Sequence, residues 1–447
     1  MSIYKIFNYL YTVEYVQKHY EEKIKNNAST GLDKISARKF ESQLDENIKI
    51  INKKVLSNSY KFTKYKQLLI SKGENKIPRS ISIPTVRDKL TLSILNKLLF
   101  ETYGNNAITK MPHSIIHEIK MAISQKNNSN CYKYDSFIKL DIKSYYKSIN
   151  HELLKKILIR KIREKEILDL IFSAITTPSV SLPIRNRSFI PKKTQGVPEG
   201  LSISNALANI YLCDIDAKYS SMDSIKYFRY VDDILILCNS DYVDSIYKDI
   251  KYDLECMELE VNNKEERGNL NEGFEYLGYK LNVNMITVRD SSVLKIEQSI
   301  EKLFIDYMKS KDKNIKLLEW KLNLKITGFI SKNNKYGWLF FFSQIDDKIL
   351  LSKLDWLVNK FCKRYNLDNS LSLKRFKRTK YDIDFRLHST NYILNFDKYD
   401  IGDKSNILTR IYNQDISELT ESQILIEFDK IIYREMRDIE KDIQAFS

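Results

Sequence analysis

The stretch KYFRYVDDILILCNS, residues 226–240, decides how this chain is read. Two runs of strand-forming residues, YFRY and ILILC, flank the pair Asp232-Asp233. Aromatic and β-branched side chains suit a pleated, buried surface, so the pattern predicts strand, tight turn, strand. Such a hairpin lifts adjacent carboxylates to a tip held by rigid strands. Two acids side by side in an apolar setting repel each other, and a cation between them removes that cost. Mg²⁺ suits such hard oxygen ligands, because it also binds substrate phosphates. Taken alone, the pair would also fit an ordinary Asp-Asp turn.

Upstream, SFIKLDIKSYY (136–146) reads as a strand ending near Asp141. A lone acid at a strand end is commonly a cap or turn residue. Two strand ends that each offer Asp are what two-metal nucleotidyl transfer needs. One metal activates the attacking hydroxyl, and the other holds the leaving pyrophosphate.

The surrounding pattern mixes both element types. Residues 1–60 read as helical, with apolar positions at Ile6, Leu10, Val13 and Val16, then at Phe40, Leu44, Ile48 and Ile51. KQLLISKGENKIPRSISIP reads as a hairpin around Gly73-Glu74-Asn75, followed by a helix through Leu90, Ile94 and Leu98. LLKKILIRKIREKEILDLIFSAI reads as one helical run, and a further helix starts near Ser204. FEYLGYKLNV (274–283) reads as another strand pair or an extended run, and the chain beyond about residue 290 is mostly helical. Strands and helices alternate irregularly, which predicts an α+β fold rather than a doubly wound sheet.

Composition narrows the function. The 447 residues include 73 Lys and Arg against 58 Asp and Glu, a net charge of +15, which invites a polyanion such as nucleic acid. The five Cys are scattered without a CxxC pair, which argues against a zinc finger or a disulfide scaffold. The chain lacks an apolar run of membrane-spanning length, and its first residues do not read as a secretory signal, so a cytoplasmic location is expected. HExxH, P-loop and GxSxG motifs are absent, as are a recognisable endonuclease segment and ribonuclease H module.

Together these segments resemble the reverse transcriptase family, in its retron and group II intron-like bacterial branch. KLDIKSYYKSINH is similar to the first palm motif, QGVPEGLSISNALANIYL to the second, and YVDD to the signature hairpin. FEYLGYKL is similar to the primer grip, and IPRSISIPTVRDKL to a fingers motif. The resemblance implies a right-hand polymerase with fingers, palm and thumb, N-terminal helices and a helical C-terminal region. It implies an N-terminal helical region over 1–60, fingers and palm over 61–290, a maturase-like thumb over 291–365 and a basic, mainly helical region over 366–447.

Roles follow by the same resemblance. Asp141, Asp232 and Asp233 are the catalytic carboxylates, and with the Ile142 backbone carbonyl they hold two Mg²⁺ ions. Arg79 and Arg87 meet the triphosphate, whose oxygens suit forked guanidinium donors. Tyr146 stands where the family places its sugar-selecting aromatic, and Lys264 is a candidate acid for the leaving pyrophosphate. Tyr276, Leu277 and Gly278 form the primer grip. Two departures stand out: Glu199 replaces the family's usual Gln, and Ser202-Ile203-Ser204 replaces its usual Ser-Pro. A carboxylate cannot donate the amide's hydrogen bond and adds negative charge beside the nucleotide.

Further along, residues 326–364 resemble the thumb and RNA-binding region of group II intron maturases through Gly337, Trp338, Phe341, Leu354, Asp355 and Arg364. Lys374, Arg375, Lys377 and Arg378 surround Phe376 and approach Tyr381, a mixture suited to phosphate contact and base stacking. His113 and His117 lack metal-spaced partners and read as structural or RNA-facing. Through residues 320–364 the chain most resembles the antiphage defence-associated reverse transcriptases, their third type. This resemblance implies a noncoding RNA as template, dNTPs as substrates, DNA as product, and a second reverse transcriptase or a second copy as partner. Untemplated or protein-primed DNA synthesis and a maturase-like RNA-binding protein are the competing readings.

Overall fold

A computed structural model describes residues 2–25, 29–71, 78–126, 130–181, 193–263, 265–368 and 370–443. The fold is α+β, with helices at both ends of the chain, as the pattern predicts. It divides into two compact units. The first comprises Met1–Lys110 with Ser136–Arg267, and the second comprises Met111–Asp135 with Gly268–Ser447.

The first unit holds β1 (Tyr65–Ile70), β2 (Arg79–Ile83), β3 (Ser136–Asp141), β4 (Ser179–Val180), β5 (Lys226–Tyr230) and β6 (Asp233–Cys238), and ends within β7 (Glu266–Asn269). The first two strands pair antiparallel, with Ile70 opposite Arg79, and the expected Gly73-Glu74-Asn75 tip lies outside the described residues. The other sheet runs in the order β5-β6-β3-β7. Its central strand explains the unbroken apolar run after Asp233. Ile234, Ile236 and Cys238 join the main core, while Leu235 and Leu237, on the opposite pleat, are equally buried.

The helix Val86–Tyr103 is the other anchor of this core. Leu90, Leu92, Ile94, Leu95, Leu98 and Leu99 are all buried, so the helix is apolar around most of its circumference. Thr85 caps it by accepting from the Asp88 N–H at 3.2 Å. The helical run expected over 153–175 is two helices, His151–Ile159 and Lys165–Thr176. The break falls at the charged stretch Arg160–Glu164, where the Ile162 N–H closes the first helix on the Leu158 carbonyl at 2.8 Å.

In the second unit β8 (Phe274–Tyr276), β9 (Tyr279–Leu281) and β10 (Ile286–Val288) form an antiparallel meander. Four long helices follow, Asp290–Lys309, Ile315–Thr327, Lys348–Arg364 and Glu421–Ile443. A core around Leu324, Phe329, Phe396 and Phe428 fastens the last of them. The apolar GWLFFF stretch is a single buried turn of helix, Trp338–Phe341. Among the described residues no helix is long and apolar enough to cross a membrane. All five cysteines are free thiols.

Candidate active site

The hairpin forms as its sequence demands. Tyr230 faces Asp233 across the β5–β6 ladder, which leaves Val231-Asp232 as a two-residue turn. Such turns need left-handed backbone, and Val231 adopts it with φ +56°. A β-branched residue in that region costs about 1–3 kcal/mol and persists only where its surroundings enforce it.

The enforcement comes from Arg229. Its Nη1 donates to the Val231 carbonyl at 2.9 Å. The guanidinium is buried and forks onto Asp216, with Nε donating to Oδ1 at 2.7 Å and Nη2 bonded to Oδ2. Tyr227 donates to the same Asp216 Oδ1 at 2.9 Å. Burial disfavours the Arg229 charge, but the hydrogen bonds and charge of Asp216 outweigh it and push the pKa further up. Arg229 is therefore a fixed cation directly behind the turn.

Three carboxylates gather at this end of the sheet. The β3–β6 register sets Asp141 opposite Asp233. The Ile142 N–H donates to the Asp232 carbonyl at 3.0 Å, which fastens the turn to the end of β3. Asn262 grips Asp141 twice: its N–H donates to the Asp141 carbonyl at 2.7 Å, and its Nδ2 donates to Oδ2 at 2.8 Å. The Asp233 carboxyl is pushed up to about 7, first by burial, then by the charges of Asp232 and Asp141, with Lys139 opposing.

Tyr146 flanks the cluster on the short helix Tyr145–Ser148. Its hydroxyl donates to Asn205 Oδ1 at 2.6 Å, and its carbonyl accepts from the Val197 N–H at 2.7 Å. Burial and then Asp232 push the phenol up to about 12, so it stays protonated and donating. The loop after Val197 meets the β2 strand. Glu199 Oε2 accepts from Arg79 Nε at 2.5 Å, and the Glu199 carbonyl accepts from the Ser82 N–H at 2.7 Å. Gly200 permits this approach: at φ +97°, a Cβ there would lie 2.5 Å from Ile81 Cγ2 and 2.9 Å from the Ser82 carbonyl oxygen. The Arg79 charge also acts on the Tyr146 and Tyr230 phenols, so the pair faces the carboxylate end.

The first unit thus brings together Asp141, Ile142, Asp232, Asp233, Tyr146, Arg79 and Glu199. Arg87 stands in the first turn of the Val86–Tyr103 helix, half-buried. Beside it, the Asp88 carboxylate accepts from Tyr60, Thr63 and Thr85. Lys264 lies outside the described residues. Tyr276, Leu277 and Gly278 belong to the second unit, where Leu277 and Gly278 form the β8–β9 turn with φ +47° and +84°. Tyr276 and Leu277 are buried there. Lys374 turns inward and donates from Nζ to the Tyr392 carbonyl at 2.6 Å, and Phe376 is fully buried. Arg375, Lys377 and Arg378 line an open groove. His117 pairs with Gln344 at 3.1 Å.

Sequence reasoning passed over Arg229, Asp216, Asn205 and Asn262. Arg229 carries the one available signal, a charge inside an otherwise apolar strand run, which rarely survives unpaired.

The donor set fits a hard divalent cation. Among the described residues no group of three acidic, imidazole or thiol side chains forms a preformed metal cage. Mg²⁺ does not require one, since it keeps several waters and takes one or two carboxylates plus substrate phosphates. Burial and then the charges of Asp232 and Asp141 raise Asp233, and a cation between these carboxylates would offset both.

The chain is similar to several known proteins. Residues 70–281 match the family described as reverse transcriptase (RNA-dependent DNA polymerase). Protein YkfC of Escherichia coli (strain K12) is 22% identical over 56% of this chain and 75% of its own length. The putative COX1/OXI3 intron 2 protein of Saccharomyces cerevisiae is 24% identical over 37% of this chain, which spans 19% of that protein. Among solved structures, telomerase from Candida albicans, in complex with a fragment of telomeric RNA, aligns over 87% of this chain and 66% of its own, with 15% identity and a TM-score of 0.43. Apo telomerase from Candida tropicalis aligns over 82% and 69%, with 14% identity and a TM-score of 0.44.

Proposed function

Given that residues 70–281 form the domain of an RNA-directed DNA polymerase, we propose that this chain extends a primer 3′ hydroxyl with dNTPs at Asp141, Asp232 and Asp233. The observation that carries the reading is the register that sets Asp141 opposite Asp233, with Asp232 on the adjoining turn. Two Mg²⁺ ions, when bound, would lower the pKa of the attacking hydroxyl and offset charge on the pyrophosphate.

The chain's own residues do the rest. Asp141 and Asp232 would hold the ions, with the Ile142 carbonyl and, more weakly, Asp233 contributing. Arg79 and Arg87 take the triphosphate, and Lys264 serves the leaving group. The Tyr146 ring, whose hydroxyl donates to Asn205, would exclude a ribose 2′ hydroxyl. The Tyr276-Leu277-Gly278 turn holds the primer end. In this reading residues 61–290 are fingers and palm, 291–365 the thumb, and 1–60 and 366–447 flanking helical regions.

The template in this proposal is a dedicated noncoding RNA used in bacterial antiphage defence. The support is the resemblance of residues 320–364 to the defence-associated group. A maturase-like RNA-binding role is the second reading, supported by the resemblance of residues 326–364 to group II intron maturases. Untemplated or protein-primed synthesis is the variant that Glu199 keeps in view.

The test is to purify the protein with its bound RNA, add Mg²⁺ with dNTPs or NTPs, and sequence both RNA and product. DNA complementary to one bound RNA, absent with Asp232→Ala, is expected. DNA matching no RNA would move the assignment to untemplated synthesis. A specific RNA with no polymer under any condition would move it to RNA binding.

A further inference from the structure

In the second unit the helix Lys348–Arg364 packs against the helix Phe376–Phe385. A groove of about 600 Å³ runs along them, lined by Asp355, Trp356, Arg375, Lys377, Arg378 and Tyr381. Two large rings lie open in it: Trp356 is 57% exposed and Tyr381 42% exposed. Rings left half in water forgo part of the free energy that burial would give them, so an open pair in one groove calls for an occupant.

Charge identifies that occupant. Lys360 Nζ lies 5.0 Å from the Trp356 ring centre, and the Arg378 guanidinium lies 5.4 Å from that of Tyr381. Arg375 and Lys377 add two more cations. Among the described lining residues the one carboxylate, Asp355, is turned into the helix start, where it accepts from the Phe376 N–H at 2.6 Å and the Lys377 N–H at 3.3 Å. The buried Asp382 accepts from Arg378 Nε alone at 3.3 Å, leaving the rest of that guanidinium fork to a ligand. An apolar partner helix would cover the rings and strand these cations. A duplex would match the cations but offers no base faces to the rings. An unpaired strand supplies both phosphates and base faces.

We infer that this groove binds single-stranded RNA, with bases stacked on Trp356 and Tyr381 and phosphates held by Arg375, Lys377 and Arg378. The choice of RNA rests on the RNA-directed reading above, in which the template is a single strand outside the copied duplex.

The experiment measures binding of a labelled single-stranded RNA of 12 nucleotides to full-length protein carrying Asp232→Ala, so that synthesis plays no part. Trp356→Ala is expected to weaken binding about tenfold and Trp356→Phe to restore most of it. Replacing Arg375, Lys377 and Arg378 together by Gln should flatten the log–log salt dependence by about 2. Duplex RNA of equal length should bind more weakly, and photo-crosslinks should map to Trp356 or Tyr381. Unchanged binding by Trp356→Ala, with an unchanged melting curve, would overturn the inference. So would equal competition by duplex RNA or by single-stranded DNA, or loss of self-association alone. The readout is independent of polymerisation. Stacking with no synthesis on any template would sink the polymerase reading and leave the groove standing.

Discussion

The Arg229 guanidinium holds the Val231 carbonyl at 2.9 Å, so an ion pair with the partly exposed Asp216 fastens the left-handed turn that carries Asp232. Removing Asp216 would strand the buried Arg229 charge, a change that costs about 3–5 kcal/mol in a fully buried pair and less here, where Asp216 meets solvent. Arg229→Lys keeps the charge but loses the fork. The expected outcome is a folded protein with a lower melting temperature and a several-fold higher Mg²⁺ requirement for DNA synthesis. A variant with wild-type Mg²⁺ dependence would show that the turn holds itself. Replacing Arg229 and Asp216 together by apolar residues should recover stability without recovering synthesis.

Asp141→Asn and Asp232→Asn each remove a charge from the end of the sheet. DNA synthesis should fall about a hundred- to a thousandfold or more, with the melting temperature of the metal-free protein unchanged or raised, because repulsion is relieved. Primer extension and thermal melting together check this. Retained synthesis by Asp232→Asn would remove the carboxylate from the mechanism.

The Asp233 carboxyl, pushed up to about 7 by burial, Asp232 and Asp141, gives a signed pH dependence. An unfolded Asp titrates near 3.9, so between about pH 4 and 7 the folded chain holds a proton that the unfolded chain has lost. Stability of the metal-free protein should therefore fall as pH rises through that window. Mg²⁺ should reverse the fall above pH 7, raising the melting temperature more at pH 8 than at pH 5.5. Equal Mg²⁺ shifts at both values would refute the coupling.

Arg79 and Glu199 form a partly buried ion pair beside the carboxylates. A triphosphate that binds Arg79 must compete with the Glu199 carboxylate. Glu199→Gln should lower the KM for dNTPs several-fold at low salt, and Arg79→Ala should raise it. If Glu199→Gln instead raises KM, the pair serves to aim Arg79 rather than to restrain it.

Tyr146→Ala should raise ribonucleotide incorporation about tenfold or more relative to dNTPs, read from single-nucleotide extension. Tyr146→Phe loses only the bond to Asn205, worth about 1 kcal/mol, and should keep its discrimination. A Tyr146→Ala enzyme with unchanged sugar preference would place the gate elsewhere.

The strand-turn-strand around Asp232 and the strand ending at Asp141 were legible because their signals are local. Alternation, turn chemistry and apolar runs lie within a few residues of the element they specify. The partners of those residues were not legible in the same way. Arg79 meets Glu199 across 120 positions, and Asn262 meets Asp141 across 121. The basic run at 374–378 read as uniform, yet the structure turns Lys374 inward and buries Phe376, leaving Tyr381 and, from a different helix, Trp356 as the open rings.

The sequence by itself determined which backbone segments become strands and which carboxylates stand at their ends, since both follow from side-chain period and turn preference. Only the tertiary structure decided that Arg229 braces Val231, that Arg79 faces Glu199, and that Trp356 shares a groove with Arg375 and Tyr381. Those pairings depend on sheet register and helix packing, and these are set by the burial of a whole core rather than by any short stretch of chain.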